Sequence, residues 1–285
     1  MANWNKILSR GNVDDRRGSG SLLRFGGGGL GIVGIGALIV IKLLSGGDIN
    51  VSDVMSVLQN VQVNPSALDT SKFEGADSYE IFTSTVLGST NDMWTSTLAK
   101  NNVAYVPPRL VLFRNYTTSD CGGADTAIGP HYCNLDETIY LDETFFDELQ
   151  KRYGANTGDV AQAYVIAHEV GHHVQNELGI LESMDKEMQI NPDEANMQSI
   201  KLELQADCFA GLWAYSIKDA GVFLPGEITE ALDAAAAVGD DNIQSKSGAV
   251  RPETWTHGSS LDRVAWFTKG FTNGSLSDCN TFEAI

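Results

Sequence analysis

The chain has 285 residues, of which 42% are hydrophobic and 20% are charged. This length suffices for one globular domain with a sizeable core, and the apolar fraction argues against wholesale disorder. The formal net charge is -18, and because so acidic a chain repels phosphate backbones, nucleic-acid binding is not expected.

The first element in chain order is a basic N-terminal region followed by an apolar stretch. Residues 1–44 contain six Lys or Arg and two acids, and the segment Phe25–Ile41 carries no charge. With Lys42 reaching toward the headgroups, about 18–20 residues are available, enough for a helix to cross about 30 Å of hydrocarbon. A buried helix and a cleaved signal peptide are the alternatives, but no small-residue cleavage site follows the stretch.

We therefore expect an uncleaved single-pass anchor with the N-terminus in the cytoplasm, since basic flanking residues are retained there. The rest of the chain would be exported, to the periplasm or the cell exterior. The expected organisation is a basic cytoplasmic tail (1–25), a transmembrane anchor (26–44), a juxtamembrane linker (45–75) and a globular domain (76–285).

The globular domain is expected to contain few strands early and many helices late, which is an α+β arrangement. Apolar residues at helical spacing predict a helix over 79–98, and the segments 109–113 and 138–141 are typical of short strands. A helix over 145–153 is expected to end at Gly154. The later part of the chain is expected to form helices at about 159–178, 193–220, 226–238 and 259–270.

All four cysteines, Cys121, Cys133, Cys208 and Cys279, lie in the part that we expect to be exported. An even number of cysteines in an oxidising compartment predicts disulfides. Of the three possible connectivities we favour Cys121 with Cys133, which flank one Gly-rich loop, and Cys208 with Cys279, which would anchor the C-terminal tail. A Cys-ligated zinc site is the alternative, but the spacings contain no C-x₂-C pair.

The predicted helix over 159–178 contains His168-Glu169-Val170-Gly171-His172, an H-E-x-x-H pattern. Residues four apart lie on one face of a helix, so both imidazoles can reach a single ion. Zinc accepts neutral imidazole nitrogen, and a catalytic zinc site keeps one position for water. Glu169 is close enough to take a proton from that water. A coincidental pair of histidines is the alternative, but the pattern is rare by chance in a chain with five His.

A third ligand must come from elsewhere, because Gln175 and Leu178 occupy the positions at which the extended pattern requires Gly and His. The candidate is Glu203, and Asp207 follows it by one helical turn. Glu203 can bind zinc while Asp207 accepts the second N–H of a histidine ligand. The alternative is a solvated acidic face, and composition alone leaves both interpretations open.

Several segments resemble the putative neutral zinc metallopeptidase family of bacterial membrane-anchored proteins; they are AYVIAHEVGHHVQ, ELQADCFAGLWA, GDDNIQ, THGSSLDRVAWF and the two-cysteine region CGGADTAIGPHYCNLDETIYLD. The likeness runs from about residue 76 to the C-terminus. It implies a mostly helical, zincin-like peptidase domain that binds one Zn²⁺ per chain. The metal ligands that it implies are His168, His172 and Glu203, with Glu169 as catalytic base. His131 departs from the family pattern, which has an aromatic residue there.

His257 is a further candidate catalytic residue, in a turn that precedes the last predicted helix. In related peptidases a His, sometimes with an Arg, donates a hydrogen bond to the oxyanion, which makes Arg263 of interest as well. The alternative for His257 is a structural role in a capping turn. His173 faces away from His172 and is expected to be structural, and the pair Asp240–Asp241 is more typical of a cap or turn than of a calcium site.

The predicted function is that of a membrane-anchored zinc metallopeptidase that hydrolyses peptide bonds in a peptide or protein substrate. The strand over 138–141 is a candidate sheet edge to which an extended substrate could add. Two alternatives remain: a zinc-binding membrane scaffold or adaptor without turnover, and a zinc amidase acting on a cell-wall substrate. An intact Glu169 disfavours the scaffold.

Overall fold

The computed structural model describes residues 1–17, 77–125, 128–155 and 158–282. They belong to a compact unit made of Met1–Arg17 and Gly75–Ile285. The predicted anchor (26–44) and linker (45–75) lie outside the described residues. Among the residues that are described, the helices are too short or too polar to cross a membrane.

The N-terminal residues differ from the expected organisation. The sequence predicts a separate tail over 1–25, but residues 1–17 pack into the same unit as the globular domain. Strand β1 (Val13–Asp15) pairs in parallel with β2 (Arg109–Phe113). The side chain of Trp4 stacks on Trp213, with ring centroids 6.4 Å apart. A strand of three residues has too little pattern to reveal a partner so distant in sequence, because β-propensity depends on the tertiary neighbours.

The main sheet has four strands in the order β1-β2-β6-β5. Strands β2 and β6 (Thr138–Asp142) pair in parallel at its centre, and their apolar residues are buried, as is typical of parallel strands covered on both faces. Strand β5 (His131–Cys133) pairs antiparallel to β6 and forms an edge. The strand predicted over 138–141 is therefore central, and the prediction that it offers an edge to a substrate is wrong, because both of its sides are already paired.

Two strands form a separate antiparallel hairpin, β3 (Tyr116–Ser119) with β4 (Gly122–Asp125). The helices are α1 (Ser78–Ala99), α2 (Phe145–Glu148), α3 (Asp159–Glu177), α4 (Ile180–Ile190), α5 (Ala195–Ile217), α6 (Ile228–Ala237), α7 (Asp240–Ser247) and α8 (Ser260–Asn273). A π-helical segment, Leu149–Tyr153, continues α2 and ends at Gly154, which has a positive φ as expected. The predicted mostly helical α+β class is confirmed. Helix α4 escaped prediction because it buries none of its residues.

Helices α5 and α8 pack with their backbones in direct contact at two glycines. A Cβ atom at Gly211 would lie 2.0 Å from the carbonyl oxygen of Phe267, and one at Gly270 would lie 2.1 Å from that of Cys208. Contacts this short admit no side chain, so glycine at these positions sets the distance between the two helices. The close packing fixes α8 against the helix that carries Glu203 and Asp207.

Both predicted disulfides are confirmed. Cys121 is bonded to Cys133 and Cys208 to Cys279, with Cα–Cα distances of 5.8 and 5.5 Å. The first links the turn between β3 and β4 to the last residue of edge strand β5. The second ties the C-terminal residues to the middle of α5.

Candidate metal centre

Helix α3 carries the H-E-x-x-H pattern, and its sequence explains how it forms. Asp159 lies in the first turn, where a negative charge is favourable at the positive end of the helix. Gly171 allows α5 to approach closely, since a Cβ there would lie 3.0 Å from the Cα of Ala206. Glu203 precedes Ala206 by about one turn of α5. The close approach of the two helices therefore brings Glu203 beside His168 and His172.

The three predicted metal ligands meet at one point. The Nε2 atoms of His168 and His172 lie 3.1 Å apart, and the Glu203 carboxylate oxygens lie 3.2 Å from the first and 3.4 Å from the second. Ligands about 2.0–2.1 Å from a tetrahedral zinc ion are themselves about 3.3–3.4 Å apart. The two imidazole nitrogens and the two carboxylate oxygens thus already stand near the spacing that tetrahedral zinc requires, and their chemistry is the one that zinc accepts.

Asp207 fixes the orientation of His168 from behind. One of its carboxylate oxygens lies 2.8 Å from Nδ1 of His168 and 2.5 Å from the hydroxyl of Tyr164. Arg263, on α8, donates to both oxygens of Asp207, at 2.8 and 3.0 Å. Asp207 and Arg263 are both buried. Because Nδ1 of His168 is engaged by Asp207, its Nε2 is the nitrogen presented to the metal position.

Gln175 performs the equivalent task for His172. Its carbonyl oxygen lies 2.9 Å from Nδ1 of His172, and its amide donates to the backbone carbonyl of Leu202 and to the side chain of Gln205. Gln175 is fully buried, so this amide cannot rotate freely. Nε2 of His172 is therefore also turned toward the metal position.

The sequence did not identify Gln175 or Tyr164 as part of the centre, and it suggested Arg263 only as a possible partner of His257 and not as a partner of Asp207. A signal existed for two of them: Tyr164 lies four residues before His168 and Gln175 three residues after His172, so each shares a helical face with the histidine it supports. Arg263 comes from a helix that is distant in sequence, and its partners are visible only in the folded structure.

The electrostatics of the centre favour a cation. Burial would raise the pKa of Glu203, but the neighbouring charge of His172 and hydrogen bonds from both histidines hold it well below its usual range. Burial would likewise raise the pKa of Asp207, but Arg263 and His168 lower it. Burial alone would lower the pKa of His168. The negative charges and hydrogen bonds of Asp207 and Glu203 outweigh this effect, so the pKa of His168 is raised. Two carboxylates thus remain ionised, and a metal ion would take the place of the proton that they hold on His168.

A cavity of about 680 Å³ opens at this centre. Its wall includes Glu169 and His257 as well as the three predicted ligands, and Glu169 is 6% exposed. Edge strand β5 contributes His131 and Tyr132 to the same wall. The remaining lining is largely apolar and includes Phe145, Leu149, Val165, Val238 and Ile243. The cavity therefore brings all five predicted site residues to one space.

His257 is held by Asp240, the first residue of α7. The backbone N–H groups of Thr256, His257 and Gly258 donate to one carboxylate oxygen of Asp240 at 2.7–3.0 Å, and the other oxygen lies 3.3 Å from Nδ1 of His257. The imidazole is half exposed. The hydrogen bond that His257 forms with the Asp240 carboxylate raises the pKa of the imidazole and outweighs its partial desolvation, which lowers that pKa. Asp240 thus acts as the anchor of a turn, as the sequence indicated, and it also orients the histidine.

The other two histidines, His173 and His131, contact neighbouring aromatic or backbone groups and not the predicted metal ligands. His173 is fully buried; its Nε2 donates to the carbonyl oxygen of Val106 at 2.7 Å, and its Nδ1 lies 3.0 Å from the hydroxyl of Tyr132. His131 stacks on Tyr140, with ring centroids 5.4 Å apart. The imidazole of His131 therefore fills the place of the aromatic ring that the family pattern led us to expect.

The similarities to known proteins agree with this geometry. The family model described as "Putative neutral zinc metallopeptidase" matches residues 2–282. The chain is 41% identical over 284 residues to "Uncharacterized protein YpfJ" of Escherichia coli strain K12, which covers 98% of each chain. It is 43% identical over 191 residues to "Uncharacterized protein Rv2575" of Mycobacterium tuberculosis, covering 63% of this chain and 64% of the relative. No solved structure matches it.

The matched region includes the N-terminal residues that pack into the domain as well as both helices of the candidate centre. This match confirms the resemblance that the sequence motifs indicated. The chain belongs to the putative neutral zinc metallopeptidase family.

Proposed function

We propose that the chain is a zinc-dependent peptidase with a zincin-like catalytic domain that hydrolyses peptide bonds. His168, His172 and Glu203 hold one Zn²⁺. The observation that carries the proposal is the close grouping of their donor atoms in a cavity that also contains Glu169. The two Nε2 atoms lie 3.1 Å apart, one oxygen of Glu203 lies 3.2 Å from His168, and the other lies 3.4 Å from His172. When bound, zinc would polarise the peptide carbonyl and make a neighbouring water more acidic.

Glu169 supplies the proton transfers. As a base its carboxylate takes a proton from the attacking water, and as an acid it returns that proton to the amine nitrogen that leaves. His257, on another part of the cavity wall, donates a hydrogen bond to the oxygen of the peptide carbonyl as negative charge develops there. Asp240 holds the imidazole of His257 in place for this task.

Strand β5 provides the surface for an extended substrate. It lies at the edge of the main sheet, and its residues His131 and Tyr132 line the cavity. A peptide that adds to this edge would form backbone hydrogen bonds with β5 and place its scissile bond near the ligands on α3. The disulfide from Cys133 to Cys121 restrains one end of that edge.

The test compares Glu169→Gln with Glu177→Gln in the full chain. Both substitutions remove one carboxylate from α3, but Glu177 lies two turns further on and outside the cavity wall. We expect Glu169→Gln to keep its zinc, measured by elemental analysis, and to lose hydrolysis of unfolded casein by ~10²–10⁴-fold. Glu177→Gln should retain both properties.

Two results would contradict the proposal. Full casein hydrolysis by Glu169→Gln would remove the assigned base. A wild-type protein that binds zinc but cleaves neither casein nor a peptide library would favour the scaffold, or the amidase if cell-wall fragments are hydrolysed instead.

A further inference from the structure

Residues 1–17 pack against the domain core, and Ile7 and Arg17 are buried there. The backbone N–H of Gly11 donates to the carbonyl of Ser84 in α1 at 2.7 Å, and that of Arg16 donates to the carbonyl of Leu112 in β2 at 2.7 Å. At Gly88 of α1 a Cβ would lie 2.5 Å from the backbone nitrogen of Arg10. The helix thus carries a glycine where the N-terminal segment crosses it, and no side chain would fit between the two backbones.

Arg17 ties the end of this segment to two other parts of the chain, at Asp77 and Glu143. Its guanidinium is 1% exposed and pairs with Asp15 at 2.7 Å, Asp77 at 2.9 Å and Glu143 at 2.6 Å. Asp77 also accepts hydrogen bonds from the first turn of α1. A buried guanidinium is tolerated only with such partners, and its loss would leave their charges uncompensated. Arg17 must therefore be in the same compartment as Asp77 and Glu143 when the domain folds.

The segment also reaches the helix of the candidate metal centre. The backbone N–H of Ala2 and the indole N–H of Trp4 both donate to one oxygen of Asp159, each at 2.7 Å. Asp159 is the first residue of α3, the helix that carries His168 and His172. The N-terminal residues thus hold the beginning of that helix in position.

From these contacts we propose that residues 1–17 and 77–282 lie on the same side of a membrane. The two disulfides place that side in an oxidising compartment. Strand β1 cannot pair with β2, nor Arg17 with Glu143, across a bilayer. The contacts are therefore incompatible with a cytoplasmic N-terminus and an exported domain, the arrangement that the charge pattern predicts.

The basic residues Arg10, Arg16 and Arg17 take part in contacts of the folded structure. Arg17 is neutralised by three carboxylates, Arg16 pairs with Asp14 at 3.0 Å, and Arg10 donates to backbone carbonyls of its own segment. All three residues make contacts within the folded domain, so their presence before an apolar stretch is accounted for without retention in the cytoplasm.

The first test labels single cysteines in the full chain in intact spheroplasts. All four native cysteines are in disulfides, so Leu8→Cys and Leu261→Cys each introduce one free thiol, at positions 87% and 77% exposed. We expect a membrane-impermeant maleimide to label both variants to the same extent. Labelling of Leu261→Cys alone, with Leu8→Cys reacting only after the membrane is permeabilised, would overturn the proposal.

The second test compares Arg17→Met with Arg16→Met in the full, detergent-solubilised chain. If Arg17 is part of the folded domain, its loss should lower the Tm by more than about 6 °C, because a buried charge cluster is broken. Arg16 is a surface partner, and its loss should change the Tm by less than about 4 °C. An unchanged Tm in Arg17→Met would show that the segment does not pack with the domain.

Discussion

The support of the metal centre by Arg263 leads to a quantitative prediction. Arg263 is 3% exposed, donates to both oxygens of Asp207, and lies 3.7 Å from a carboxylate oxygen of Glu203. Replacing it with Met keeps a long apolar side chain but leaves the buried carboxylate of Asp207 without its main partner. Breaking a buried pair in this way costs about 3–5 kcal/mol.

The expected consequences can be measured separately. In a domain of 150–250 residues each kcal/mol shifts the Tm by roughly 2–4 °C, so Arg263→Met should lower the Tm by roughly 6–20 °C. Because Asp207 orients His168, the affinity for zinc should fall about 10–100-fold, measured by competition with a chelator. Arg263→Lys keeps the positive charge but loses the two-pronged contact with Asp207, so we expect an intermediate effect on both quantities.

A double variant identifies the physical cause. If the instability comes from the uncompensated charge of Asp207, then Arg263→Met combined with Asp207→Asn should recover part of the lost Tm. The recovered protein should still bind zinc less tightly than wild type, because an amide can orient His168 but carries no charge. A Tm of Arg263→Met within about 2 °C of wild type would correspond to a loss of at most about 1 kcal/mol. Together with an unchanged zinc affinity, that result would refute the reasoning.

Three further predictions follow from the packing and the cavity. Gly211→Ala should lower the Tm by several degrees in a thermal melt, because the added methyl would meet the backbone of Phe267. This steric cost should exceed the gain of about 1 kcal/mol that alanine brings to a helix; a higher Tm would show that α8 can move aside. His257→Ala should lower kcat ~10²-fold on casein with an unchanged zinc content, whereas equal rates would assign the residue to the turn alone. Burial would raise the pKa of Asp240, but hydrogen bonds from the side chain and backbone of His257 lower it. The contribution of Asp240 to stability is therefore present above the pKa that it has in the unfolded chain, and it is lost as the pH falls through the pKa of the folded state. On acidification from about pH 6 to pH 3 the Tm of wild type should fall more steeply than that of Asp240→Asn; parallel curves would contradict this.

Much of the candidate centre could be predicted because its signals are local. His168, Glu169 and His172 lie within five residues on one helix, where the helical repeat alone decides which side chains share a face. The helix boundaries around them, and the strands predicted over 109–113 and 138–141, follow from short-range hydrophobic patterns, and the structure contains both strands. The pairing of the four cysteines was predicted from their positions along the chain, and the structure confirms it.

The sequence by itself determined the acidic, mostly helical α+β domain, the histidine pair and the family resemblance. The sequence named Glu203 and Asp207 as candidates but could not separate a metal site from a solvated acidic face. The tertiary structure decided this, because the close approach of α3 and α5 at Gly171 places Glu203 beside Nε2 of His168 and Asp207 beside its Nδ1. It also decided that β5, and not β6, is the sheet edge at the cavity, since strand order depends on pairings between distant segments. Most of all, it placed the first 17 residues against the core. The sequence shows their charge, but their partners, from Ser84 to Glu143, are brought to them only when the chain folds.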